Sequence, residues 1–119
     1  MEVEVVIEVP QGSRNKYEMD PVSGRIRLDR MLFTSTRYPA DYGFIPGTLA
    51  EDGDPVDVMV LLGEPAFPGC AVTGRPVGVF WLTDEIYKEL EPDKGTDVRG
   101  WQDRAAAKDV ITAARGRAQ

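Results

Sequence analysis

The chain has 119 residues, 42% hydrophobic and 29% charged, a size and balance that suit one folded domain spanning 1–119 rather than a disordered segment. It carries 20 acidic against 14 basic residues, a net charge of −6, with one cysteine and no histidine. Those counts exclude Cys/His zinc sites, Ser-His and Cys-His nucleophile pairs and an internal disulfide, and argue against a module that grips nucleic-acid phosphates.

No apolar run approaches the length of a membrane span, and Met1-Glu2-Val3-Glu4 lacks the basic start of a signal peptide. With the single Cys70, this makes a cytoplasmic protein without membrane contact the expectation.

In chain order, Val3, Val5, Ile7 and Val9 alternate with Glu2, Glu4, Val6 and Glu8, which predicts a strand with one buried face, ended by Pro10 and Gly12. Residues 16–20 and 25–30 flank Pro21-Val22-Ser23-Gly24 and read as a hairpin. Residues 38–47, rich in turn residues and aromatics, read as a loop and a short strand. Val58-Met59-Val60-Leu61-Leu62 reads as a strand buried on both faces. Pro65, Pro68 and Gly69 then break the chain, and Cys70 reads as a small residue at a strand start. Val77-Gly78-Val79-Phe80-Trp81-Leu82 reads as another buried strand. So many short strands with frequent turns predict a mainly β (α+β) fold built on a closed or nearly closed barrel. From Trp101 to Arg117 the pattern changes. Trp101, Ala105, Val110, Ile111 and Ala114 form an apolar stripe, so a C-terminal helix should flank the barrel.

The chemistry concentrates in Asp52-Gly53-Asp54-Pro55-Val56-Asp57. Three carboxylates on a tight turn repel one another, and a hard divalent cation removes that cost. A solvated acidic turn is the alternative. An EF-hand fits poorly: counted from Asp52, the glycine position holds Asp57 and the bidentate glutamate position holds Gly63. Asp84-Glu85 follows the strand at 77–82, and Asp84 could share metals with the first cluster if the two strands are neighbours. Cations stand at Lys16, beside Tyr17 at the start of the hairpin, at Arg30, which closes it, and at Lys88, beside Tyr87. Singly they read as surface charge. Together they suit phosphate, Arg as a planar fork and Lys as a point charge. An acidic protein handles an anionic substrate when metal ions invert the local field.

These residues fall into a specific pattern. Ile7-Glu8-Val9-Pro10, Asn15-Lys16-Tyr17-Glu18, Leu28-Asp29-Arg30, Tyr38-Pro39-Ala40-Asp41-Tyr42-Gly43-Phe44, residues 51–57, Arg75-Pro76-Val77-Gly78, Thr83-Asp84-Glu85 and Tyr87-Lys88-Glu89-Leu90-Glu91 follow one another over nearly the whole chain. In this the chain resembles the family I soluble inorganic pyrophosphatases of bacterial type. The resemblance implies a five-stranded OB-like closed barrel and hydrolysis of pyrophosphate with several Mg²⁺ ions per site, Mn²⁺ being the other oxygen-preferring candidate. It implies that Asp52, Asp57 and Asp84 are metal ligands and Glu8 a further carboxylate close to the metals. Lys16, Arg30, Tyr42, Tyr87 and Lys88 would contact phosphate, Glu18 and Tyr38 would support the site, and Asp54 would accept a proton from the attacking water. A homohexamer is the assembly it implies.

The chain departs from the family at one place. Thr83-Asp84-Glu85 runs directly into Ile86-Tyr87-Lys88, where the family has about forty further residues, among them acidic side chains and a lysine. Either the sequence omits a segment the protein has, or the protein is genuinely shortened; if it is truly shortened, a catalytically impaired homologue that still binds Mg²⁺ and pyrophosphate is the alternative reading. An OB-like module for oligonucleotides is a third, opposed by the charge of −6 and the lack of a basic, aromatic strip.

Overall fold

The alternation at the N-terminus does form a strand. In the computed structural model, which describes residues 1–20, 22–32, 38–80 and 101–119, the elements run β1 (Val3–Val9), β2 (Asn15–Met19), β3 (Ile26–Met31), β4 (Asp41–Ile45), β5 (Val56–Val60), β6 (Ala71–Gly74), β7 (Val79–Phe80), β8 (Trp101–Gln102) and α1 (Arg104–Ala118). β1 is central. It pairs antiparallel with β4 on one side and β6 on the other, and β5 extends the sheet beyond β4, giving the order β5-β4-β1-β6. The predicted hairpin is present as β2–β3. β6 begins one residue after Cys70, which reads from the sequence as a small residue at a strand start; its short extent, Ala71-Val72-Thr73-Gly74, carries no apolar alternation that would have defined it.

The closed OB-like barrel is not formed. The described strands make open sheets, and the architecture is mixed α/β with one C-terminal helix. Closure needs a continuous ring of main-chain pairing. Among the described residues, β5 and β6 are sheet edges, and β2–β3 and β7–β8 each pair only within themselves. A side chain links the hairpin to β1: Met19 N donates to Glu8 Oε2 at 3.1 Å.

Two strands read as fully buried are not. β5 alternates, with Asp57 and Met59 exposed and Val56, Val58 and Val60 turned toward the core, because an edge strand has one packed face. Leu61, past its end, is 83% exposed. Among the described residues of the 77–82 run, Val79 and Phe80 pair, and they pair with β8 rather than with β5. Val77 is exposed, and Trp81 and Leu82 lie outside the described residues.

The helix begins later than its apolar stripe suggested. Asp103 caps it, its carboxylate accepting from Ala106 N at 3.0 Å, while Trp101 and Gln102 are spent in β8. Its buried positions are Ala107, Ile111 and Ala114, spaced on one face; Ala105 is exposed and Val110 only partly buried. Ile111 joins Val3, Val5, Ile7 and Ile45 in the core, bordered by Val56, Val58, Val60 and Val72.

Candidate active site

The sheet has two faces, and the helix takes one. On β4 and β5, Tyr42 stands opposite Met59 and Phe44 opposite Asp57. These four share the face away from Asp41, Gly43 and Ile45, which point to the core side and are buried. Tyr42 and Asp57 are diagonal neighbours on that outer face, and the Tyr42 hydroxyl donates a hydrogen bond to the Asp57 carboxylate.

β1 adds a carboxylate through an irregularity. Ile7 is opposite Gly43, yet Val9 is opposite Tyr42, so Glu8 is the extra residue of a β-bulge. The bulge changes the parity of the strand. Val3, Val5 and Ile7 belong to the helix-side core, whereas Val9, equally buried, is not a member of it. Gly43 permits the close approach: a Cβ there would overlap the Val6 carbonyl.

The turn between β4 and β5 carries the other acids. Gly53 has φ +91°, and Asp54 N donates to Asp52 Oδ1 at 2.9 Å. Asp52 and Asp54 are exposed and both raise the cost of charge on Asp57. Although Asp57 is exposed as a residue, partial desolvation of its carboxyl is the largest influence on it and pushes it above the usual carboxylate range, against the stabilising hydrogen bond from Tyr42. Glu8 is pushed up in the same way, first by burial, then by Asp57 and Glu18, with the Met19 N–H working against the rise. Lys16 lowers both. Glu8, Glu18, Asp52, Asp54 and Asp57 thus share one field with Lys16 as the nearby cation.

Two cations face each other on the hairpin. Lys16 is directly opposite Arg30, an arrangement that costs stability unless an anion lies between or beside them. Asp29 is the extra residue of a second bulge, and its Oδ2 is 3.7 Å from Lys16 Nζ. Arg30 is exposed. Tyr38 packs against Tyr42, ring centroids 5.7 Å apart and tilted by 50°.

The donor set is all oxygen, which suits Mg²⁺. Among the described residues no group of three or more acidic side chains is close enough to hold a metal ion unaided. Mg²⁺ commonly keeps several waters and binds through one or two carboxylates plus substrate phosphates. Glu8, Asp52 and Asp57 would hold it on this chain.

Of the residues singled out from the sequence, Glu8, Lys16, Tyr42, Asp52, Asp54 and Asp57 are linked electrostatically through Glu8 and Asp57, Glu18 acts on Glu8, Arg30 pairs with Lys16 across the hairpin and Tyr38 packs on Tyr42. Asp84, Tyr87 and Lys88 lie outside the described residues. Two contributors were missed. Asp41, 1% exposed, accepts from Gln11 N at 2.9 Å and from Ala66 N at 2.7 Å, tying two loops to β4. Thr48, 5% exposed, lies at the base of the acidic turn. The signal for Asp41 was its place between two tyrosines in an apolar strand, where a carboxylate needs buried partners.

Comparison with known proteins gives a consistent result. Residues 5–87 match the family model described as inorganic pyrophosphatase. An inorganic pyrophosphatase of Streptomyces coelicolor is 43% identical over 150 residues, covering 93% of this chain and 92% of that protein. One from Methanosarcina mazei is 56% identical over 93 residues, 78% of this chain and 50% of that protein. The crystal structure of inorganic pyrophosphatase from Thermus thermophilus superposes with a TM-score of 0.85 at 39% identity, covering 98% of this chain and 91% of that one. Since the Streptomyces alignment runs to 150 residues and this chain has 119, at least 31 of its positions have no counterpart here. The expected junction, Glu85-Ile86, falls at the end of the family match and outside the described residues.

Proposed function

The chain belongs to the family I inorganic pyrophosphatases, and we infer from this that it is a Mg²⁺-dependent hydrolase converting pyrophosphate and water to two phosphates. The single observation that best supports the site is the electrostatic linkage of its acids: Asp57 acts on Glu8, Asp52 and Asp54 act on Asp57, Lys16 opposes the rise in both Glu8 and Asp57, and Tyr42 donates to Asp57.

The division of labour follows from charge and position. Asp52, Asp57 and Glu8, with Asp84, hold the metals, several per site, and Mn²⁺ can substitute because it has the same oxygen preference. A bound divalent cation supplies charge to the phosphate oxygens and makes a ligated water acidic. Asp54, exposed on the turn, takes the proton of the attacking water. Lys16 and Arg30, paired across the hairpin, offset charge on the departing phosphate, helped by Tyr42, Tyr87 and Lys88. Tyr38 steadies Tyr42 through ring packing, and Glu18 adds negative charge beside Glu8. Residues 1–119 act as one domain of a cytoplasmic homohexamer. No described helix is long and apolar enough to cross a membrane.

Two substitutions test the assignment. Asp57→Asn and Arg30→Ala should each lower Mg²⁺-supported phosphate release by about a hundredfold or more. Activity within a few-fold of the unaltered protein in both would remove these residues from the site. The positions that lack a counterpart here favour the second reading, an impaired homologue. Mg²⁺ and pyrophosphate binding without phosphate release would select it.

A further inference from the structure

The acidic turn leaves the sheet at Ile45 and rejoins it at Val56, and one buried hydroxyl bridges the two ends. Thr48 Oγ1 donates to Ile45 O at 2.6 Å and accepts from Val56 N at 3.0 Å. It is one of two buried polar or charged residues among those described, the other being Asp41. Its hydroxyl serves as donor and acceptor at once, so both the end of β4 and the start of β5 depend on it.

The next residue is tied from the other side of the molecule. Leu49 N donates to Ala114 O at 2.9 Å, and Arg117 Nη1 donates to Leu49 O at 3.0 Å. Arg117 also stands 3.7 Å from Glu51, an exposed pair that adds little by itself. Beyond Leu49 the turn is closed by its own bonds. Ala50 N donates to Asp54 O at 2.7 Å and Gly53 N to Ala50 O at 3.1 Å. The turn is therefore a compact unit whose aim toward Asp57, at the second residue of β5, is set where it is anchored, at residues 48 and 49.

We propose that Thr48 and Arg117 are positioning residues that pre-shape the acidic turn for its metal, acting on metal affinity rather than on chemistry once the metal is loaded. The proposal rests on the metal-site reading of Asp52 and Asp57. Its physical basis is preorganisation: a turn already aimed loses less freedom when it takes up an ion. It also links the C-terminal helix to the site, so metal uptake should in turn steady the helix end.

The test is a calorimetric Mg²⁺ titration of the full-length protein and three variants, with amide hydrogen exchange at Leu49 and Val56. Thr48→Val keeps the shape but loses both hydrogen bonds, and it should weaken Mg²⁺ binding roughly tenfold, the lower end of the usual effect of an outer supporting residue. Thr48→Ser keeps the hydroxyl and should stay within about twofold of the unaltered protein. Arg117→Ala should weaken binding several-fold and speed exchange at Leu49. All should keep kcat at saturating Mg²⁺, and Val56 should lose protection only in Thr48→Val. Should Thr48→Val not fold, the exposed Arg117 carries the test alone. Equal Mg²⁺ affinity in the unaltered protein and the folded variants overturns the inference by itself. No Mg²⁺ uptake by the unaltered protein overturns the metal-site reading and the inference with it.

Discussion

At Asp57 partial desolvation, Asp52 and Asp54 all oppose the charge that a metal ligand needs, and Tyr42 first, then Lys16, favour it. Replacing Tyr42 by Phe removes that donor. Activity should fall about 10- to 100-fold, seen as a higher Mg²⁺ requirement in a metal titration of phosphate release. The same environment has a consequence for stability. Glu8 and Asp57 titrate in the folded protein above their usual range, so the folded state holds its protons to higher pH than the unfolded chain does. Stability of the metal-free protein therefore falls as pH rises from the ordinary carboxylate range through the folded values, and the full cost is present above them. Asp57→Asn and Glu8→Gln should accordingly melt higher than the unaltered protein at pH 7 in chelator. The difference should vanish in acid below the ordinary carboxylate range. With Mg²⁺ the order should reverse, because only an intact site gains stability by binding. Thermal melts at two pH values, with and without Mg²⁺, check both signs. The acidic cluster itself was plain in the sequence. Its interplay with Tyr42 was not, since it depends on a diagonal placement across two strands whose register only the fold reveals.

At the scale of elements, the β1–β4 pair does most to shape the site. The bulge at Glu8 and the bare backbone of Gly43 occur at the same point of the ladder. Gly43→Ala would force the strands apart where Glu8 and Tyr42 are aimed. It should lower both the denaturant midpoint and activity, whereas a glycine elsewhere in the sheet with open space, such as Gly74, should tolerate alanine better. On the opposite face, Ile111 is the helix residue in the core, and Ile111→Ala should cost about 2–5 kcal/mol in equilibrium unfolding. Strands with clear alternation or turn boundaries were legible: β1, the β2–β3 hairpin and β4 lie where period and punctuation put them. The bulge was not, because Val3, Val5, Ile7 and Val9 keep a perfect period of two while the partner strand slips by one. The helix start was misread for want of its cap. Asp103 is an N-cap signal that outranked the apolar Trp101.

At the scale of the whole molecule, the open sheets correct the expected closed barrel, and the reason lies in pairing. Apolar runs announce strands, but nothing in them says whether the last strand meets the first, and here β5 and β6 both remain edges. The family resemblance fared better in function than in architecture: residues 5–87 match the inorganic pyrophosphatase model, while the described sheets stay open. What the chain lacks relative to its Streptomyces relative, at least 31 aligned positions, bears directly on whether that site completes a turnover. The most direct measurement is phosphate release from pyrophosphate by the purified protein, its intact mass first checked against 13.1 kDa. The account predicts two phosphates per pyrophosphate consumed, release that stops in chelator and returns with Mg²⁺, and near-complete loss in Asp57→Asn. A protein of that mass that releases no phosphate above background with Mg²⁺ present would contradict it.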